Sequence, residues 1–299
     1  MRQITLLVVL LAICSPLYAQ DLEDYVSKYT SENGKGYMQP LADAFGANIN
    51  SGLYHGARIP AFGFNIYIGV ETMMALIADD QKVFTATTED FFSPQTMEET
   101  ATIFGSTTGA RVIGTDDAGN PTGAAYNFPG GLDVSKVPLA VPQVTVGSIL
   151  GTEATLRFIQ VTLDDNYGKV KLVGFGVRHS ISQYLKNFPI DLAAGFFIQK
   201  LEVGDIIEAN AKYFGVQGSY SKSILTFYGG VGFESANLDI TYDYESGDNT
   251  TSTISFDLDA DNSARFTAGV AVNLILVKLH ADYNFGAQKV LAIGLGFGL

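Results

Sequence analysis

The last nine residues of the chain alternate without interruption. Leu291, Ile293, Leu295, Phe297 and Leu299 share one parity, and Ala292, Gly294, Gly296 and Gly298 share the other. Successive strand side chains point to opposite faces, so this stretch has one wholly apolar face and one with almost no side chains. In water such a strand invites edge-to-edge aggregation, whereas as a lipid-facing stave of a closed barrel both faces are accommodated. The same period runs through Phe62, Phe64, Ile66, Ile68 and Val70, opposite Gly63, Asn65, Tyr67, Gly69 and Glu71, and predicts a first transmembrane strand there. Further strands are predicted near 151–162, 168–178, 190–203, 206–220, 222–234, 264–274, 277–286 and 288–299, with short turns such as Ser221-Lys222 and Gly286-Ala287. Adding the less regular stretches 76–87, 139–149, 237–245 and 251–259 predicts an all-β fold. This is an antiparallel transmembrane β-barrel of about 12 strands, within a range of roughly 10 to 14. A soluble periplasmic β-sandwich is the competing architecture, but its strands would turn a polar face to water, which the final strand lacks.

Residues 20–60 follow a different period. Leu22, Tyr25, Val26 and Tyr29 recur at helical spacing, and a second short helix is predicted from Pro40 with Leu41, Phe45 and Ile49 on one face and Gly52 at its end. This helical segment reads either as a periplasmic cap or as a hatch folded into the lumen. Before it, Arg2, the apolar run Ile4 to Ile13, Pro16 and then Leu17-Tyr18-Ala19 predict a signal peptide over residues 1–19, cleaved after Ala19. The run is too short to span a bilayer as a helix. A lipoprotein reading of Leu11-Ala12-Ile13-Cys14 is disfavoured by Ile13, where a small residue is expected. Cleavage removes Cys14, the only cysteine, and with it any disulfide framework or thiolate metal site.

Between 89 and 136 the alternation fails. Asp116-Asp117-Ala118-Gly119-Asn120-Pro121 and Phe128-Pro129-Gly130-Gly131 are turn signatures, so the segment is expected to be a long surface loop with room for a hairpin of its own. Residues 244–251 form a short acidic loop, and Ser180-Ile181-Ser182-Gln183 resembles a capping box opening a helical turn or two.

Once Arg2 leaves with the leader, 17 basic residues face 31 acidic ones, which disfavours nucleic acid as a partner. Hydrophobic residues make up 47% of the chain, yet after the leader no apolar run reaches the roughly 20 residues of a membrane helix. Apolar residues spread at period two reconcile these facts. The 20 Phe, 15 Tyr and 32 Gly suit interfacial girdles and crowded strands.

The chain has three histidines, His55, His179 and His280, none in a ligand or catalytic spacing, and no nucleophile elbow is present. An enzyme is not expected, nor is a cofactor. Asp257, Asp259 and Asp261 begin like a calcium loop, but Asn262 replaces the required glycine and Ala268 the closing glutamate. The sharper pattern is in the penultimate strand. Val277, Leu279, Ala281, Tyr283 and Phe285 make an apolar face and leave Lys278, His280, Asp282 and Asn284 on the other, which in a barrel is the lumen. Glu71, Arg157 and Lys171 are further candidates for the same interior set. These groups either satisfy one another and their neighbours or contact a substrate; both readings stand at this point.

Several segments are familiar. Asn50-Ser51-Gly52-Leu53-Tyr54-His55-Gly56-Ala57, then Pro142-Gln143-Val144-Thr145-Val146-Gly147 leading to Leu156-Arg157-Phe158, and Gly174-Phe175-Gly176-Val177-Arg178-His179-Ser180 resemble an uncharacterised outer-membrane β-barrel family of Bacteroidota-type bacteria. More distantly, the helical segment ahead of the barrel and the ending Gly294-Leu295-Gly296-Phe297-Gly298 are similar to the long-chain fatty-acid transporter family. That likeness implies a monomer plugged by its amino terminus, which takes up hydrophobic small molecules through a lateral opening. It carries over no substrate-contact residue. The expected function is passive transport of a small hydrophobic molecule across the cell outer membrane, the alternative being a structural or surface-interaction barrel with a filled lumen. The expected partners are outer-membrane lipid and lipopolysaccharide, a hydrophobic small-molecule ligand and the outer-membrane assembly machinery, for which Phe297 supplies the aromatic signal.

Overall fold

A computed structural model describes residues 31–88, 95–116, 118–164, 168–185, 187–204, 206–245 and 251–299. The predicted leader and the predicted helical stretch from Leu22 to Tyr29 lie outside the described residues. One helix, α1 (Ser31–Ile49), precedes β1 (Asn65–Leu76), β2 (Val83–Thr87), β3 (Met97–Ala101), β4 (Arg111–Thr115), β5 (Pro121–Asn127), β6 (Lys136–Ile149), β7 (Thr152–Asp164) and β8 (Gly168–Ser180). Then follow β9 (Asp191–Val203), β10 (Ile207–Lys222), β11 (Leu225–Glu245), β12 (Thr251–Asp259), β13 (Ala264–Leu274), β14 (Val277–Phe285) and β15 (Lys289–Gly298).

The antiparallel order β10-β9-β8-β7-β6-β1-β15-β14-β13-β11 closes on itself through β10–β11 pairing, from Ile207 opposite Ile240 to Lys222 opposite Leu225. Closure leaves a barrel of ten strands, with β12 added only to the distal part of β11. The count falls from about twelve because β12, the predicted strand 251–259, stands outside the closure, and at two further places. Residues 222–234 and 237–245 are one continuous strand of 21 residues, β11. The stretch 76–87 yields only β2, which pairs with β3 in a separate sheet. A second hairpin, β4–β5, occupies the rest of the long connection. The first barrel strand starts at Asn65, three residues later than its apolar alternation, leaving Phe62 and Phe64 exposed ahead of it.

Along the wall the polarity of the two faces reverses. Near the end that carries the turns at 150–151, 223–224 and 275–276, outward positions are apolar: Ile68, Phe175, Phe196, Phe214, Phe227 and Leu295 are all exposed. The inward positions there are glycines and polar residues such as Gln143, Thr145, Arg157 and Gln199. Toward the other end the same strands carry Lys200, Glu202, Glu208 and Asp239 outside, while Leu201, Ile207, Leu238, Ile240, Phe256 and Leu258 are buried inside. An outward apolar belt is what hydrocarbon requires, and a polar outer face with an apolar interior is what water requires. The barrel therefore crosses the membrane at its turn end and rises from it at the other as a water-exposed extension.

That apolar interior exists to receive α1. The helix touches β1, β6 and β15 on one side and β10, β11 and β12 on the other, and Tyr37, Met38, Leu41, Ala44, Ala47 and Ile49 are fully buried. It begins nine residues before Pro40, the predicted start, and passes through that proline. Proline removes a backbone donor and crowds the carbonyl four residues back, so an isolated helix would break there. Burial on all sides outweighs the defect. The wall approaches closely where side chains are smallest: a Cβ at Gly46 would lie 2.6 Å from that of Ala236, and one at Gly36 2.6 Å from the Phe84 ring. The long connection closes over the helix, with Ile103 and Phe104 fully buried, the Ile103 amide donating to the Tyr37 carbonyl and the Tyr37 hydroxyl to that of Gly130. It is a lid as well as a loop.

Candidate functional site

The last four carbonyls of a helix have no partner within it, and the last turn of α1 offers no basic side chain of its own. Arginines on the barrel wall supply the donors. Arg265 on β13 donates to the carbonyls of Ala47 and Asn50 and to Ser51 Oγ, while its other edge pairs with Glu234 at 2.9 Å. Arg157 on β7 donates to the carbonyls of Ile49 and Ser51 at 3.1 and 3.0 Å, to Gly52, and to Gln143 and Gln199. Arg178 on β8 donates to the Gly56 carbonyl at 2.6 Å, pairs with Glu153 and lies over the Tyr54 ring. Three buried guanidiniums thus grip residues 47–56 as they descend through the lumen, each carrying charge complementary to a helix carboxyl end or a carboxylate.

Below this grip the predicted lumen residues of β14 meet β1. His280 Nε2 lies 2.8 Å from Glu71 Oε2, and the Tyr67 hydroxyl donates to Glu71 Oε1 at 2.8 Å. His55 stacks on His280 with ring centres 5.1 Å apart, so two of the three histidines meet although 225 positions separate them in the chain. Asp282 accepts from the Tyr228 hydroxyl at 2.9 Å and from Asn284, which in turn accepts from Thr267. The glycine face of β15 makes this packing feasible. A Cβ at Gly294 would stand 2.1 Å from His280 Cε1 and 2.2 Å from Glu71 Oε2, and one at Gly296 2.5 Å from the Tyr67 ring.

Of the seven predicted residues, Glu71, Arg157, His280, Asp282 and Asn284 are buried in the interior, and Lys278 lines its mouth. Lys171 is a correction. It shares the outward parity of β8 with Val173 and Phe175, its side chain is 41% exposed, and it pairs with Glu202 in the water-exposed extension, where polarity no longer marks the lumen. There the hydrogen bond from Lys200 holds both Glu202 and Glu208 below the usual carboxylate range. His179 faces outward at the turn end, bonded to Thr152 and Tyr184. The calcium-like aspartates are not a loop: Asp257 and Asp259 lie on β12, and the Asp261 amide donates to Asp43. Among the described residues no group of three His, Cys, Asp or Glu could hold a metal ion. The sequence missed Arg178, Arg265, Glu153 and Glu234, although each shares an inward parity with glycines or buried small residues.

Between the turn-end mouth and the floor made by Tyr54, His55 and Tyr67 lies a cavity of about 300 Å³. These features define an outer-membrane β-barrel whose interior is occupied by its own amino-terminal segment. The chain belongs to the family described as a family of unknown function (DUF6588), whose match covers residues 1–299. No curated protein matches it. Among solved structures it is similar to OmpT of Vibrio cholerae, in trimer form, at 11% identity over 80% of this chain and 100% of that one, with a TM-score of 0.28. It is also similar to the N-terminal β-barrel domain of Pseudomonas aeruginosa OprF at 15% identity, covering 50% of this chain and 95% of that one, with a TM-score of 0.24. A mutant porin of Rh. blastica matches at 13% identity over 79% and 99% of the two chains, with a TM-score of 0.20. No residue role is carried over from any of them.

Proposed function

We propose that this barrel, exported by its leader to the outer membrane, passively admits a small, mainly apolar molecule through a seam in its wall between β6 and β7. The supporting observation is the ladder between these strands, which runs from Ile149 opposite Thr152 to Gln143 opposite Arg157 and ends there. Beyond it β6 stays paired with β1 as far as Lys136, and β7 with β8 as far as Asp164. Pro142 lies in this half of β6, and proline has no amide hydrogen to give a neighbour. Behind the seam, Val137, Val141, Ile159 and Leu172 line an apolar interior. The seam starts at the upper edge of the apolar belt, where Phe158 lies beside Val173 and Val173 beside Lys200, and a molecule entering at that edge reaches apolar side chains without meeting the charged grip on residues 47–56.

Ala140 and Gln160 face each other across the seam if the register is extended. A disulfide between Ala140→Cys and Gln160→Cys should stop uptake of laurate or a small aromatic hydrocarbon into proteoliposomes, and reduction should restore it. Uptake indifferent to the bond sinks the proposal. A second reading, a filled barrel that does not transport, is favoured by the occupation of the interior from Tyr37 to Ile59. A folded, heat-modifiable barrel with no uptake in either redox state would establish it. In both readings lipid surrounds the apolar belt and lipopolysaccharide meets the charged outer face above it. The assembly machinery reads the last strand, where Phe297 points outward opposite Ile68 and Val277.

A further inference from the structure

The turn-end cavity carries an electrostatic surplus. Arg58, Arg178 and Lys278 line it against a single carboxylate, Glu153, in a chain whose formal net charge is −13. Arg178 is consumed by Glu153 and Gly56. Lys278 and Arg58 make no ion pair or hydrogen bond among the described residues. The Lys278 side chain passes close over Gly298 of β15, where a Cβ would lie 3.1 Å from its Nζ.

The cavity also holds polar atoms in want of partners. Among its lining residues Asn65 Oδ1 and His55 Nδ1 have none. Buried polar groups are ordinarily satisfied, and an orphan acceptor asks for a donor from outside the protein. Free cations ask for an anion. A volume of about 300 Å³ is at the lower bound of small-ligand sites.

We propose that this vestibule binds a small hydroxylated organic anion. Its carboxylate lies against Lys278 and Arg58, and its hydroxyls meet Asn65 Oδ1 and His55 Nδ1. The site lies at the opposite end of the β6–β7 ladder from the seam and does not depend on transport. A free acid and the head of an amphiphile share this chemistry. The second source is accessible because Ile224, Leu274 and Ile275 are exposed on the turns around the mouth.

The test is calorimetric titration of the full barrel in phosphatidylcholine nanodiscs with glucuronate, glucose and octyl glucuronide. Glucuronate should bind at millimolar concentration or below, with glucose at least about tenfold weaker, as expected for loss of a charge-assisted hydrogen bond. Lys278→Gln should weaken glucuronate by about tenfold and Lys278→Arg should restore it. Heat-modifiability on a gel verifies that each variant is folded. Octyl glucuronide binding more than about tenfold tighter than glucuronate assigns the amphiphile, and equal binding assigns the free acid. Glucose binding as well as glucuronate, glucuronate failing to bind, or folded Lys278→Gln binding it unchanged would overturn the proposal.

Discussion

Gly294→Ala tests the packing of the glycine face against the interior pair. The added methyl would stand 2.1 Å from His280 Cε1 and 2.2 Å from Glu71 Oε2, well inside contact distance, with both side chains at most 4% exposed. Overpacking a tight core costs about 1–3 kcal/mol, and displacing His280 also breaks its hydrogen bond to Glu71, worth about 1–3 kcal/mol more. The expected destabilisation is about 2–6 kcal/mol, read from reversible urea unfolding in lipid vesicles. Gly218→Ala is the control, because there the nearest neighbour, Leu192, would lie at an ordinary 3.4 Å. It should stay within about 0.5 kcal/mol of the parent. Removing the obstacle should rescue part of the loss, so Gly294→Ala combined with His280→Ala should be milder than the sum of the two. Parent-like stability of Gly294→Ala, or strict additivity in the double variant, would refute the claim that β15 is glycine-rich to make room for this pair.

Three further outcomes are expected. Arg157→Met with Arg265→Met takes the arginine donors from the carbonyls of Asn50, Ser51 and Gly52 at about 1–3 kcal/mol each, while Ala47 and Ile49 keep Ser51 and Gln199; planar-bilayer recordings should show conductance bursts that the parent lacks, and a silent, folded variant would deny the grip its role. No cysteine follows Cys14, so single cysteines report the membrane boundary: Lys200→Cys should react with a charged maleimide in vesicles and Phe196→Cys should not. Burial, and then the facing Asp257, hold Asp239 above the usual carboxylate range. A raised folded pKa means stability that is full below the unfolded value and is lost as pH rises, so the protection factors of β11–β12 amides, which remove the intrinsic rise of exchange with pH, should fall above pH ~4, and Asp239→Asn should abolish that fall.

What the sequence disclosed depended on where a strand lies relative to the membrane. On β14 and β15, within the belt, polar or glycine means inside, and the parity rule placed His280, Asp282 and Asn284 in the interior. On β8 the rule failed for Lys171 because the strand has left the belt, and there polar means outside. The same reversal divided β11 in two: its apolar parity changes from Val231 and Phe233 to Leu238 and Ile240, which mimics a break in phase although the backbone continues. Seeing through it requires knowing that a helix waits inside. The helix was itself half hidden, because Gly34, Gly36 and Pro40 argue against helix locally, and only the surrounding wall explains why it forms. Arg178 and Arg265 escaped notice as isolated polar residues, not members of a run. The carbonyls they serve belong to a segment more than 100 residues away.

The reversal also says which part of the interior can move. Ejecting α1 would bring Tyr37, Met38, Leu41, Phe45 and Ile49 back into water, at roughly 8–15 kcal/mol for five large apolar side chains. Even the lower figure leaves fewer than about one molecule in 10⁵ with the helix out. Residues 53–59 are held differently, by Arg178 at Gly56 and by Ser219 at the Ala57 amide, beside the turn-end cavity. Contacts of that kind contribute about 1–3 kcal/mol each and can be exchanged for water. Passage along the lumen must therefore proceed with α1 in place and the lower segment displaced. Native-state hydrogen exchange separates the two: the amides of α1 should exchange as slowly as those of β10 and β11, and those of residues 53–59 at least about a hundredfold faster. Equal protection of both segments would mean that the interior opens as one unit, and would leave the seam in the wall as the sole way in.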